Sequence, residues 1–252
     1  MRRRQNAPHP AFFCGMGLIW DGRRSEMEIS LYWEERGEGT PLVLLHGNGE
    51  DGTYFARQME EFSRDFRVLA VDTRGHGRSP RGTAPFTLGQ FAEDLKDFLD
   101  GRGIARAAIL GFSDGGNIAL LFALRYPSCV EKLIVNGANL CPSGMKTGVW
   151  LATELEYEFL RLLAVFSPGA AKKRDLFRLM AREPHIRWES LQKIAVPALV
   201  IAGTDDMIKE SHTRRMAAAL PRGELALIEG SHFVARENSR EFNRAVRKFL
   251  ES

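Results

Sequence analysis

Between the apolar run Ala107-Ala108-Ile109-Leu110 and a helix-forming stretch from Asn117 to Arg125, the chain reads Gly111-Phe112-Ser113-Asp114-Gly115-Gly116. A strand, a tight turn and a helix in direct succession permit few architectures. Strand and helix must cross closely, and the G-x-S-x-G glycines leave room for the neighbouring chain while the serine oxygen stands clear. Such a serine is placed for nucleophilic attack. Glycines and a serine also make ordinary loops, so the weight of the pattern rests on partners elsewhere in the chain.

With 252 residues and 44% hydrophobic content, the chain has material for one large domain or a domain with a modest insertion. A net charge of +3 on 27% charged residues is a mild bias that owes part of its excess to Arg2, Arg3 and Arg4, and makes no case for nucleic acid. The three cysteines, Cys14, Cys129 and Cys141, form no C-x-x-C pair. That argues against a disulfide framework or a structural zinc site and fits a reducing cytoplasm. Arg2 to Arg4 followed by the apolar stretch Ala11 to Trp20 superficially resembles a secretory signal. Pro8 and Pro10 separate the charges from the run, Gly15 and Gly17 interrupt it, and Asp21-Gly22-Arg23-Arg24 stands where a small-residue cleavage site is needed. The run is also shorter than the roughly 20 residues of a membrane span. Residues 1–26 therefore read as a loosely attached extension before a domain beginning near Met27.

From there short β-like runs alternate with helical patterns. The runs are Glu28 to Trp33, Leu42 to Leu45, Val68 to Val71, Ala107 to Leu110, Leu133 to Val135, Ala198 to Ile201 and Leu225 to Ile228. The later ones are nearly all apolar, as strands buried on both faces should be. Helical patterns occupy Leu88 to Leu99, Asn117 to Arg125, Ser211 to Leu220 and Ser239 to Leu250. This is the order of an α/β fold, a mostly parallel central sheet with helices on both faces. The interval between Val135 and Ala198 lacks a clear strand but holds helix-like pieces at Val149 to Phe166 and Ala170 to Arg182. It predicts a small helical cap over 141–194, dividing a core of 27–140 and 195–252.

A serine hydroxyl is a poor nucleophile at neutral pH and needs a base, with a third group to hold that base in the correct tautomer. His232 follows the run Leu225 to Ile228, in a loop where a base can swing over the sheet. Asp205 and Asp206 follow Ala198 to Gly203, at the edge where open α/β sheets gather their ligands, and either can orient His232. An oxyanion formed in acyl transfer needs two backbone N–H donors. Asp114 supplies one, and Asn48, in His46-Gly47-Asn48-Gly49 after Leu42 to Leu45, is the candidate for the other.

Four stretches in order resemble the α/β-hydrolase fold family, from about Leu31 to the C-terminus. They are Leu45 to Gly49, Asp72 to Ser79, Gly111 to Gly116, and Gly203 to Asp206 with Gly230-Ser231-His232. The order Ser, Asp, His is the one this family uses. The resemblance aligns the acid with Asp206 and implies a catalytic set of Ser113, Asp206 and His232 with oxyanion donors Asn48 and Asp114. A serine at the elbow disfavours the dehalogenase and epoxide hydrolase branches, which carry aspartate there. It implies a serine hydrolase acting on small carboxylic esters through an acyl-enzyme, with no cofactor. Gly111 to Gly116, Arg125-Tyr126-Pro127, Asn136 to Asn139 and Glu241-Phe242-Asn243 are similar to the valacyclovirase subgroup, which cleaves α-amino-acid esters. That likeness would give the Asp114 carboxylate a substrate ammonium to hold. Aminopeptidase, lactonase and carbon–carbon bond hydrolase activities share the machinery by fold analogy, and a non-catalytic binding member of the fold is the alternative from another class.

His46 and His76 read as structural histidines satisfying backbone groups in turns, and His212 as packing near the acid loop. Trp150, Tyr157 and His185 are the candidates for substrate contacts from the cap. Trp150, Tyr157, Phe159 and Phe166 fall at helical intervals and are expected to pack between cap and sheet, with Glu154, Glu156 and Glu158 forming a solvated face. No set of His, Cys or carboxylates has metal-ligand spacing, so no metal is expected. The expected partner is a small-molecule ester, not nucleic acid or membrane, and the protein is expected to be a cytoplasmic monomer or homodimer.

Overall fold

The computed structural model of the protein describes residues 28–252; the expected extension, 1–26, lies outside them. Seven strands form one sheet: β1 (Trp33–Arg36), β2 (Thr40–Leu45), β3 (Phe66–Val71), β4 (Ala107–Phe112), β5 (Val130–Asn136), β6 (Ala198–Asp205) and β7 (Gly223–Ser231). Their order is β1-β3-β2-β4-β5-β6-β7. β1 runs antiparallel to β3, and every other neighbouring pair is parallel. The first strand starts later than the expected Glu28 to Trp33. Glu28 instead receives the Thr83 and Ala84 amides and the Arg74 guanidinium, and the Tyr32 N–H donates to Ser79 Oγ. The segment before Trp33 thus gives its polar groups to the loop after β3.

Alternation along the strands builds two cores. Val43, Leu45, Leu69, Val71, Ile109 and Val135 face one side. Leu42, Leu44, Val68, Ala70, Leu110 and Ile134 face the other. This is the period of two that a pleated strand imposes, with both faces apolar because helices cover both. Among the described residues, eight α-helices flank the sheet: α1 (Ala56–Phe62), α2 (Leu88–Gly101), α3 (Asp114–Arg125), α4 (Thr147–Leu163), α5 (Pro168–Arg182), α6 (Glu210–Ala219), α7 (Val234–Glu237) and α8 (Ser239–Glu251). α2, α3 and α6 cover the first face through Phe91, Leu95, Ile118, Phe122 and Met216. α1, α7 and α8 cover the second through Met59, Phe62, Val234, Phe242 and Phe249.

β3 lies on one side of β2 and β4 on the other. The connections after β2 and β4 therefore diverge, opening a crevice at the C-terminal ends of these two central strands. The oxyanion-type loop follows β2 and the serine turn follows β4, so both motifs meet there.

α4 and α5 fill the interval between β5 and β6 and pack on each other. Ser167 caps α5 by accepting the Ala170 N–H, with Pro168 at the first turn, where its missing donor costs nothing. The expected orientation of α4 requires correction. Phe159 and Phe166 point outward, 57% and 86% exposed, rather than packing between cap and sheet. Two of the glutamates expected to face solvent, Glu154 and Glu158, instead pair with Arg182 of α5.

Candidate active site

The turn after β4 holds its serine under strain. Ser113 has φ 52°, the sole positive value at a non-glycine among the described residues. Such backbone persists only where its surroundings enforce it. The enforcement is steric: a Cβ at Gly115 would lie 2.0 Å from the Leu45 carbonyl oxygen, and one at Gly111 would lie 2.2 Å from the Gly115 carbonyl oxygen. β2 and α3 therefore approach as no side chain would allow. Ser113 is lifted above the sheet end, next to the loop that follows Leu45.

β6 and β7 bring in the other two groups. His232 Nδ1–H donates to Asp206 Oδ1 at 2.7 Å, and His232 Nε2 lies 3.0 Å from Ser113 Oγ. With its Nδ1 proton committed to the carboxylate, the neutral imidazole presents a lone pair at Nε2 to the serine hydroxyl. Asp206 Oδ1 also accepts the Ile208 N–H at 2.9 Å, which holds the carboxylate in place. Asp206 and His232 are buried, whereas the neighbouring Asp205 points outward and pairs with Lys146 at 2.7 Å. The imidazole rests against Phe112, ring centres 4.8 Å apart. It also occupies the space a side chain at Gly137 would take, since a Cβ there would lie 2.7 Å from His232 Cε1. The need for a glycine in the turn after β5 becomes visible only when the imidazole is in place.

A polar network surrounds the start of α3. Asn48 Nδ2 donates to Asp114 Oδ2 at 2.8 Å and to the Leu176 carbonyl of α5 at 3.0 Å. Asn117 Nδ2 donates to Asp114 Oδ1 at 3.3 Å and to Asn139 Oδ1 at 3.2 Å, while Asn117 Oδ1 accepts the Asn139 N–H at 3.0 Å. Burial pushes Asp114 up to about 6, against the opposing pull of the Asn48 and Asn117 amides. The Asp114 carboxylate thus joins the loop after β2 to α3 and, through Asn48, to the insertion. The Asp114 N–H opens α3, where the first amides of a helix have no intrahelical acceptor and carry partial positive charge.

The other expected contact residues are dispersed. Trp150 and Tyr157 are half-buried on α4, Tyr157 beneath the Arg182 guanidinium at 4.9 Å, and the buried Trp150 Nε1–H lacks a hydrogen-bond partner. His185 is exposed. His212 accepts the Leu140 N–H at 3.0 Å and packs on Trp188 at 4.8 Å. His46 bridges the Gly47 carbonyl at 2.8 Å and the Thr73 N–H at 3.0 Å, so it serves the backbone of two loops. Burial brings His46, His76 and His212 each down to about 4. A cavity of about 350 Å³ lined by Ser79, Arg81, Phe86, Lys172 and Leu176 opens at the seam between core and insertion.

Glu50 escaped sequence reading. Its Oε2 is buried without a hydrogen-bond partner, and Arg236 is 3.9 Å from Oε1. Burial raises this carboxyl to about 7, opposed by the Gly47 backbone and by the charges of Arg236 and His232. A glutamate in a glycine-rich loop gives no periodic signal of burial; the folding of that loop over Phe112 creates it. Among the described residues no helix is long and apolar enough to cross a membrane.

A profile described as alpha/beta hydrolase fold matches residues 40–157. RutD of Caulobacter sp. (strain K31), to which carbamate hydrolase activity is ascribed, is 32% identical over 243 residues, covering 83% of this chain and 90% of that protein. RutD of Yersinia enterocolitica, with the same ascription, is 29% identical, covering 87% and 92%. Among solved structures, the enol-lactonase from Burkholderia xenovorans LB400 has a TM-score of 0.75 at 24% identity, covering 89% of this chain and 97% of that one. Est816, an N-acyl homoserine lactone degrading enzyme, has a TM-score of 0.71 at 26% identity, covering 88% and 97%. A parallel sheet that lifts Ser113 from a strained turn, joined to kinship over more than four-fifths of the chain, makes this protein a member of the α/β-hydrolase fold family.

Proposed function

We propose that the protein is a serine hydrolase that cleaves small carboxylic esters through a covalent acyl-enzyme. The observation that carries this reading is the line from Ser113 Oγ to His232 Nε2, 3.0 Å, and from His232 Nδ1 to Asp206 Oδ1, 2.7 Å. In the proposed reaction, Ser113 Oγ attacks the carbonyl carbon as its proton passes to His232 Nε2. Asp206 holds the imidazole and stabilises the imidazolium, without itself taking the proton. The Asn48 and Asp114 N–H groups receive the oxyanion. Collapse expels the alcohol, which leaves with the proton from His232. Water then attacks the acyl-enzyme by the same route and releases the acid. No cofactor enters these steps.

The amino-ester alternative needs the Asp114 carboxylate to face a substrate ammonium. Its burial, and the occupation of both its oxygens by Asn48 and Asn117, favour a structural role. A second reading, cleavage of lactones or carbamates by the same serine, is supported by what the relatives are named for. In either reading the protein works in the cytoplasm, as its unpaired Cys129 and Cys141 suggest.

Hydrolysis of p-nitrophenyl acetate, butyrate and octanoate, an acyl homoserine lactone and an N-alkyl carbamate by wild type and Ser113→Ala tests the proposal. The acetate or butyrate should be turned over, and Ser113→Ala should lower kcat at least about a thousandfold. Ser113-dependent turnover confined to the lactone or carbamate would favour the second reading. Absence of Ser113-dependent turnover throughout the series would overturn both.

A further inference from the structure

Leu151, Leu155, Phe159, Leu162 and Phe166 recur at intervals of four, four, three and four residues, the spacing of a single helical stripe. A stripe like this normally faces the core. Here the opposite side of α4 is the buried one, through Thr153 and Leu160, while Glu154 and Glu158 are tied to Arg182 of α5. The stripe points away from the protein, with its members 50% to 86% exposed. With Leu163 and Val165 beside it, it presents roughly 800 Å² of surface, beyond the apolar patches usual on monomers and close to one partner's share of a standard interface.

The stripe also fits itself when reversed. A two-fold axis passing between Leu155 and Phe159 sets those two opposite each other across an antiparallel helix pair. The same axis sets Leu151 opposite Leu163 and Ala152 opposite Leu162, and brings Phe166, in the turn just after α4, towards Gly148. Large side chains meet small ones at the ends: Gly148 and Ala152 are exposed, and the space a Cβ at Gly148 would enter is open. An isologous contact needs this self-complementarity. The glutamates 154, 156 and 158 outnumber Arg161 along α4, which is the wrong sign for an anionic lipid surface. We propose that the occupant of this face is a second copy of the chain, and that the protein is a two-fold homodimer joined through antiparallel α4 helices.

Sedimentation equilibrium on the chain of residues 1–252 at tens of micromolar tests this. Wild type should show the mass of two chains. Leu155→Glu and Phe159→Lys should each weaken self-association at least about thirtyfold, the loss expected of a central hot spot. Both side chains are exposed, so the circular dichroism of each variant should match wild type, and any fall in thermal midpoint should vanish at concentrations low enough for wild type to be monomeric too. An equimolar mixture of the two variants should recover a two-chain species, because the register places positions 155 and 159 opposite one another.

A wild-type mass of one chain would overturn the proposal. So would a dimer indifferent to both substitutions. A monomer that floats with phosphatidylcholine vesicles would assign the face to lipid instead. A monomer that dimerises once residues 1–27 are removed would assign the face to the chain's own first segment.

Discussion

The side-chain amide of Asn48 donates to the carboxylate of Asp114 at 2.8 Å across 66 residues of sequence, tying the loop after β2 to the first residue of α3. The same amide reaches the Leu176 carbonyl of the insertion at 3.0 Å. One side chain thus holds together the two proposed oxyanion donors and the element that covers them. Asn48→Ala should cost about 1–3 kcal/mol in urea denaturation, because it leaves a buried carboxylate short of a donor. It should lower kcat for an ester more than it changes KM. Asp114→Asn keeps an acceptor for Asn48 and should leave the ratio of amino-ester to simple-ester turnover within about threefold of wild type. A large fall in that ratio would restore Asp114 as an ammonium site.

Asp206 accepts from both His232 Nδ1 and the Ile208 amide. An amide at position 206 can present its N–H₂ to the imidazole and favour the wrong tautomer. Asp206→Asn should therefore lower ester kcat about 10⁴-fold while the thermal midpoint changes little, as expected when geometry survives and the tautomer does not. Asp205→Asn, at the exposed neighbour paired with Lys146, should leave kcat within about twofold.

Glu50 links stability to pH with an unusual sign. Its carboxyl is raised from 4.5 to about 7 by burial. Across that interval the folded protein keeps a proton that the unfolded chain has released, so this group's contribution to stability falls as pH rises from 4.5 to about 7. Glu50→Gln removes the effect. The stability of Glu50→Gln relative to wild type should rise by about 1–2 kcal/mol between pH 4.5 and 7.5, allowing for the solvent that still reaches the group. Urea denaturation of both proteins at the two pH values measures it; the buried histidines act in the opposite direction but are common to both proteins and cancel. A difference independent of pH would mean that Glu50 is not desolvated.

At Gly115 the limiting contact is backbone, with the Leu45 carbonyl oxygen 2.0 Å from where a Cβ would stand. Neither partner can rotate away. Gly115→Ala should destabilise by about 3 kcal/mol or more and abolish ester turnover, since relief requires β2 and α3 to separate at the turn that carries Ser113. Gly148→Ala, at an open helical position, should stabilise the monomer slightly, since alanine has less backbone entropy to lose. The pair separates the steric cost of the turn from the general effect of adding a methyl group.

Local chemistry determined much of this protein. The apolar runs at Leu42, Val68, Ala107, Leu133 and Ala198 specify buried parallel strands because both of their faces are apolar, and Gly111 to Gly116 specifies the tight turn because only glycine permits the approach. Residues at the ends of such strands must lie at one edge of the sheet, so Ser113, His232 and the Asp205-Asp206 pair were legible as neighbours. The family resemblance already aligned the acid with Asp206; the bend at the end of β6 supplies the physical reason, burying Asp206 against His232 and leaving Asp205 exposed beside Lys146. Tertiary structure alone also buried Glu50, engaged Asn48 with α5 and turned the apolar stripe of α4 outward. Periodicity tells that a helix has an apolar face; it carries no information on what that face meets. The direction of α4 follows from its packing on α5, which buries Thr153 and Leu160 and pairs Glu154 and Glu158 with Arg182, residues 24 to 28 positions distant that no local pattern connects.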